Sequence, residues 1–213
     1  MSFEYDLIVL VADADAEWTI RTLLDMRAPA LHIRQINSKV IRDPGRDPGV
    51  YLRAQDLLRP YLNQAAYVLA ILDREGSGRE ARMSAPEMEQ NLENRLQESG
   101  WRTLDGQPRA AAVVLDPELE VWVWSRSPHV AAALGLDEHS LAALLQQVDR
   151  LPNGKPKRPK EAMLTALRAG RKPHSPQVFQ ELARSVSLQA HERAFDKLRH
   201  TLQTWFPLQE GAE

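Results

Sequence analysis

The chain has 213 residues, 43% of them hydrophobic, which suffices for one sizeable core or for one core with a helical appendix. Its 27 basic and 29 acidic residues leave a formal charge of -2, so the molecule as a whole has no field that attracts nucleic acid, and any such attraction must be local. With no cysteine, disulfides, thiolate zinc sites and cysteine nucleophiles are excluded.

The opening residues include Glu4 and Asp6 and lack a basic flank or a small-residue cleavage site, so they do not read as a signal peptide. No apolar run is long enough to cross a bilayer. A cytoplasmic protein without a membrane partner is expected.

Tyr5 to Ala12 is a near-continuous apolar run that ends in Asp13, the pattern of a central strand buried on both faces of a parallel sheet. Trp18, Ile20, Leu23 and Leu24 then predict a short helix that stops before Pro29. Leu31 to Ile41 reads as a second strand or an irregular hairpin. The repeat Asp43-Pro-Gly-Arg-Asp47-Pro-Gly49 predicts a turn, because Pro fixes φ and Gly permits φ > 0. Tyr51, Ala54, Leu57, Leu58 and Tyr61 give a second helix, and Tyr67 to Leu72 gives a third strand ending in Asp73.

Ser84-Ala-Pro-Glu87 has the form of a capping box, and Met88, Leu92 and Leu96 follow at helical spacing until Gly100. Ala110 to Leu115 is a fourth strand ending in Asp116. Pro117 is placed to open a helix through Trp124, although the alternation Glu118, Glu120, Trp122 also fits a strand. Beyond Asp149, a Pro- and Lys-rich stretch from Leu151 to Lys160 leads to helical patterns such as Phe195, Leu198, Leu202 and Trp205. The expected architecture is α/β: a mainly parallel sheet of about four strands flanked by helices over residues 1–149, and a basic linker with a helical C-terminal part over 150–213, packed on the same domain.

Three strands thus end in acid: Asp13-Ala-Asp15-Ala-Glu17, Asp73-Arg-Glu75-Gly76 and Asp116-Pro-Glu118-Leu-Glu120. In a parallel sheet these ends converge, at the edge where ligands bind. Converging carboxylates repel unless a cation neutralises them, and hard oxygen ligands favour Mg²⁺ or Mn²⁺. Any one of these acids is also explained as a helix N-cap; the repetition at three strand ends is what favours a shared metal site.

Asp13 with Glu17, Leu72-Asp73-Arg-Glu75-Gly76 and Glu118-Leu-Glu120-Val-Trp122 together resemble Toprim-like proteins, most closely the small bacterial families related to the nuclease domain of OLD-type (overcoming lysogenisation defect) proteins. The resemblance covers about two thirds of the chain, and the Lys155 to Lys160 segment and the Phe195-x-x-Leu198 ending are similar to theirs as well. It extends to a small subunit of a methylation-associated anti-phage defence system. What it implies is a Toprim-like fold and metal-dependent phosphodiester cleavage, with Asp13 and Glu17 as catalytic acid or base groups. Asp73, Glu75, Asp13, Glu118 and Glu120 would be the metal ligands. The family's Glu-Gly is Asp13-Ala14 here, and the second Asp of its Asp-x-Asp pair is Glu75, so each carboxylate reaches differently by one methylene.

Arg150, Lys155, Lys157, Arg158, Lys160, Arg168, Arg171 and Lys172 make the stretch to His174 locally positive. It reads either as a solvated charged loop or as a phosphate-contacting segment, with Lys155, Lys157, Arg158 and Lys160 as the nucleic-acid candidates. Trp101, Trp122, Trp124 and Trp205 are interleaved with Val and Leu and read as core. Histidines 32, 129, 139, 174, 191 and 200 have no zinc-pair spacing, and Gly76-Ser77-Gly78 lacks the Lys-Ser/Thr of a phosphate-binding loop. Two functions compete: a nuclease of bacterial defence acting on nucleic acid, and a non-catalytic subunit that assembles with other defence proteins through its helical tail. An Asp13-x-Asp15 phosphatase ranks behind both, because Glu17 stands where such enzymes carry Thr or Val.

Overall fold

The apolar runs form the sheet, and their alternation assigns its two faces. In the computed structural model, which describes residues 3–125, 127–188 and 192–208, strands β1 (Tyr5–Val11), β2 (Ser38–Arg42), β3 (Ala65–Asp73) and β4 (Ala110–Leu115) lie in the order β2-β1-β3-β4, every neighbouring pair parallel. Leu7, Val9, Val11, Leu69, Ile71, Val113 and Leu115 enter one core. Ile8, Leu10, Val68, Ala70, Leu72, Ala112 and Val114 enter the other. Strands buried on both faces need helices on both faces, and this chain supplies them.

Helices α2 (Arg46–Leu58) and α3 (Ala85–Glu98) cover the second face. The Ser84 capping box is complete: Ser84 Oγ accepts from Glu87 N–H, and Glu87 Oε2 accepts from Ser84 N–H at 2.7 Å. Helix α1 (Ala14–Met26) covers the first face, together with α4 (His129–Ala133), α5 (Glu138–Gln146), α6 (Pro159–Ala169), α7 (Pro176–Ser185) and α8 (Arg193–Trp205). The apolar faces of α7 and α8, Val178, Phe179 and Leu182 with Phe195, Leu198 and Leu202, share a core with β1. Trp101 and Trp124 are buried; Trp122 and Trp205 are partly buried, Trp205 stacking on Tyr67 with ring centroids 4.6 Å apart. Among the described residues no helix is long and apolar enough to cross a membrane.

Four boundaries differ from the sequence expectations. The strand expected within Leu31 to Ile41 is confined to Ser38–Arg42, because Pro29–Leu31 closes a 3₁₀ turn and β2 is a half-buried edge rather than an apolar run. The second half of the Asp43 to Gly49 repeat is helical: α2 begins at Arg46, so Pro48 sits in its first turn, where a missing N–H costs nothing. Pro117 opens no α-helix: the chain is still extended at Glu118, and a 3₁₀ turn, Leu119–Trp122, follows. The helical part begins at His129, well before residue 150.

Outside the pairing of β3, the edge of β4 is closed by side chains. Glu89 and Glu93 of α3 accept from the Val114 N–H at 2.8 Å and the Ala112 N–H at 3.0 Å, and Arg193 of α8 donates to the Val114 carbonyl. Glu89 is 3% exposed and pairs with Arg193 at 2.9 Å and Lys197 at 3.1 Å. These contacts satisfy backbone groups that would otherwise invite another strand.

The loops after α4 and α6 meet backbone to backbone. A Cβ on Gly170 would fall 2.0 Å from the Leu134 carbonyl oxygen, and one on Gly135 would fall 2.7 Å from the Gly170 carbonyl. Gly170→Ala must push these segments apart, and overpacking of this kind costs about 3 kcal/mol. The expected drop in melting temperature is roughly 6–12 °C by circular dichroism. A melt indistinguishable from wild type would contradict this close approach.

Candidate active site

The chain leaves β1 for the β2 edge and returns to β3 on the other side of β1, so β1 and β3 form the switch point of the sheet, where a crevice opens beyond their carboxyl ends. Asp13 and Asp73 each stand three residues beyond the paired Leu10 and Ala70, so the register brings both acids to that crevice. Asp13 caps α1, its Oδ1 accepting from the Ala16 N–H at 2.9 Å. Asp47, in the first turn of α2, reaches across and accepts from the Asp73 N–H at 2.8 Å. These three aspartates line one gap of about 10 Å³, walled by Ala12, Ile71, Leu72, Leu115 and Leu119. That is about the room a single water or small ion needs.

Glu118 and Glu120, at the exit from β4, are buried at 8% and 3% exposure. Glu118 Oε1 accepts from the Lys160 N–H at 2.9 Å, and Lys160 Nζ lies 3.7 Å from Glu120 Oε1. Lys160 stands at the start of α6, so the C-terminal part supplies the cation that faces the acids of the sheet.

The crowding is visible in the proton affinities. Burial raises Asp73 well above the usual carboxylate range, and the charges of Asp47, Glu120, Asp13 and Glu118 push it the same way. Burial also raises Asp47, against the hydrogen bond it receives from Asp73. Glu120 is raised to about 7 by burial, with Lys160 opposing and Glu118 reinforcing the shift. Glu118 and Asp15 are raised by burial too, opposed at Glu118 by the Lys160 N–H and ammonium and at Asp15 by His174 and Lys160. Burial works to lower Lys160, but Glu120, Glu118, Asp73 and Asp13 outweigh it and raise the ammonium. The site therefore holds more buried acid than its one lysine neutralises.

Of the residues expected from sequence, Asp13, Asp73, Glu118 and Glu120 are brought together. Glu17 turns toward the β2 edge, where Arg21 and Arg42 hold it at 2.8 and 2.9 Å. Glu75 is exposed; its own N–H donates to the Pro117 carbonyl at 2.9 Å, and its charge is felt at Glu118. Lys155 is buried and donates to the Val121 carbonyl at 2.9 Å, a contact that pins the 3₁₀ turn from below and withdraws this lysine from the surface. Lys157 is exposed, and Arg158 is exposed and paired with Glu161 at 3.0 Å. Among the histidines, His174 lies 3.5 Å from Asp15 Oδ2, and His191 lies outside the described residues. Asp47 was not expected. The acid directly after β2 is Asp43, which is buried and paired with Arg53 at 2.6 Å, whereas Asp47 stands in the first turn of α2, masked by the Pro-Gly turn pattern around it.

Among the described residues no three His, Asp or Glu side chains are close enough together to form a ready-made cation site. The donor set nonetheless suits a hard divalent cation: Asp13, Asp47 and Asp73 around the gap, with Glu120 beside them, all oxygen ligands and in electrostatic excess. Comparison of the chain with family models, with curated proteins and with solved structures gives no match.

Proposed function

We propose that this chain is a Toprim-like protein that cleaves phosphodiester bonds of nucleic acid with Mg²⁺ or Mn²⁺, in the setting of bacterial anti-phage defence. The observation that supports the chemistry is the convergence of Asp13, Asp47 and Asp73 on one small gap at the β1–β3 switch point, with the charges of Glu120 and Lys160 near enough to act on Asp73. The defence setting rests on the resemblance carried by Asp13 with Glu17, Leu72 to Gly76 and Glu118 to Trp122.

In this reading Asp13, Asp47 and Asp73 hold the cation, with Glu120 as a further ligand or proton carrier. A divalent ion held there supplies Lewis-acid stabilisation of the charge on a phosphoryl oxygen. Lys160 Nζ holds positive charge beside the same carboxylates and is placed to contact a phosphate oxygen. Glu120, raised by burial to about 7, would gain or lose a proton near neutral pH. The apolar walls from Ile71, Leu115 and Leu119 keep bulk water from screening these charges.

The test is incubation of the purified chain with labelled single- and double-stranded DNA and RNA under Mg²⁺, Mn²⁺ or chelator. Cleavage is expected with metal and not with chelator, and Asp13→Asn is expected to reduce it about 100-fold. Intact substrates under both metals, together with a melting temperature that neither metal moves, would sink the proposal.

One observation favours the second reading, a non-catalytic subunit of a multi-protein defence complex: Glu17, a candidate acid or base, is locked between two arginines. Defence activity that survives in Asp13→Asn and Asp73→Asn, with assembly intact, would select this reading.

A further inference from the structure

The acidic gap opens beside a wider cleft whose rim is cationic as well as acidic. That cleft, of about 660 Å³, is lined by the acids Asp13, Asp15 and Asp43 and by Arg42, Arg46, Lys160 and His174. Three of these four basic side chains have acidic neighbours: Arg42 pairs with Glu17 at 2.9 Å, Lys160 lies 3.7 Å from Glu120, and His174 lies 3.5 Å from Asp15. Arg46 is exposed and has no acidic partner among the described residues. Its backbone lies in the left-handed region, with φ of 54°, a conformation that disfavours any residue with a Cβ. Arg46 is also the residue before Asp47, whose carboxylate lines the metal gap and accepts from the Asp73 N–H. Adjacent Cα atoms stand about 3.8 Å apart, so the guanidinium on the cleft rim is within side-chain reach of a group next to the one bound at the gap.

A guanidinium offers a planar fork that matches two oxygens of one phosphate, a geometry a lysine cannot copy. We propose that Arg46 grips a phosphate of the strand adjacent to the phosphate at the acidic gap, which makes the substrate a polynucleotide strand and not an isolated phosphate ester. This rests on the phosphodiester reading of the same site and goes beyond it in naming the residue that holds the strand beside the phosphate at the gap. Arg46 is a binding residue here; the bond-breaking step does not pass through it.

The experiment compares wild type, Arg46→Ala and Arg46→Lys on two substrates with Mn²⁺: a short labelled oligonucleotide, and bis(p-nitrophenyl) phosphate, which carries a single phosphate. On the oligonucleotide, Arg46→Ala is expected to raise KM about tenfold with a much smaller change in kcat, and Arg46→Lys to recover part of the loss. The loss on the oligonucleotide is expected to exceed that on the small diester about tenfold. Equal losses on both substrates, or none on either, would overturn the proposal.

Oligonucleotide binding is measured in parallel by fluorescence anisotropy in Asp73→Asn, with and without Arg46→Ala, over a range of salt. There the proposal requires about tenfold weaker binding without Arg46 and a salt slope shallower by about one counterion. This arm separates the two failures: strand binding that depends on Arg46 in a protein that cleaves nothing would retire the nuclease and keep the phosphate grip. Strand binding indifferent to Arg46 would remove the grip whatever the enzyme does.

Discussion

Asp73→Asn is expected to stabilise the metal-free protein at pH 8 and to abolish metal-dependent cleavage. Asp73 is the acid on which the site converges: burial and the charges of Asp47, Glu120, Asp13 and Glu118 all favour its protonated form. A carboxyl group whose proton affinity is raised in the folded state costs nothing below its unfolded pKa, where both states are protonated. The cost grows as pH rises toward the folded value and is complete above it. For Glu120 that window runs from the ordinary 4.5 to about 7. At roughly 1.4 kcal/mol per pKa unit, its ionisation alone destabilises the folded chain by about 3 kcal/mol at pH 8. The metal-free wild type should therefore melt higher at pH 5.5 than at pH 8.

An uncharged amide at position 73 removes the largest shared repulsion and leaves the Asp47 contact to the Asp73 backbone N–H in place. The expected gain at pH 8 is about 1–2 kcal/mol, or roughly 2–8 °C in melting temperature, and it should shrink as the pH falls and vanish only below the ordinary aspartate value of 3.8. Saturating Mn²⁺ should raise the wild type at pH 8 by about 3 kcal/mol, as a ligand at 100 times its dissociation constant does, and leave Asp73→Asn unmoved. Cleavage should fall about 100-fold or more. A lower melting temperature for Asp73→Asn at pH 8 would refute the electrostatic reading; full cleavage by the variant would refute the catalytic one.

The second large effect lies away from the site, at the β4 edge. Glu89→Ala removes the acceptor of the Val114 N–H and strips Arg193 and Lys197 of their common partner. Deleting one member of a buried ion pair costs about 3–5 kcal/mol when the partners cannot reach water. Arg193 and Lys197 are partly exposed, which places the expectation at the lower end, about 3 kcal/mol. Denaturant melts should show that loss. A double-mutant cycle with Arg193→Ala should give a coupling of about 1–2 kcal/mol. Additive single-variant effects would show that α8 is held by its apolar face alone.

The strands and the site were not equally legible in the sequence. β1, β3 and β4 announce themselves because strands buried on both faces must be apolar at every position. β2 was legible only as a strand or hairpin somewhere in Leu31 to Ile41, because an edge strand carrying Lys39 and Arg42 buries little and looks like its flanks. The Ser84 capping box is a local device with local signals, and it was readable for that reason. Asp47 is the opposite case: locally Asp-Pro-Gly spells a turn, and only the crossover from β2 to β3 delivers its carboxylate to Asp73. Lys160 stood out only as one cation in a basic stretch, whereas Lys155, its neighbour in that stretch, is buried against Val121. Spacing along the chain separated neither the two lysines nor Glu17 from Asp13. What separates them is which element packs behind each, and that information is long-range.

Helix α1 shows what this means for dividing the molecule. Asp13 is fixed by the first turn of α1, and the flank of that helix is covered by α7, more than 150 residues further along the chain, with Arg27 donating to the carbonyls of Ala183 and Arg184. Lys160 also comes from the C-terminal part. The sheet-bearing segment is thus not an independent unit awaiting a tail. A fragment cut near residue 149 would lose both the wall that packs on α1 and the cation that faces the acids of the sheet.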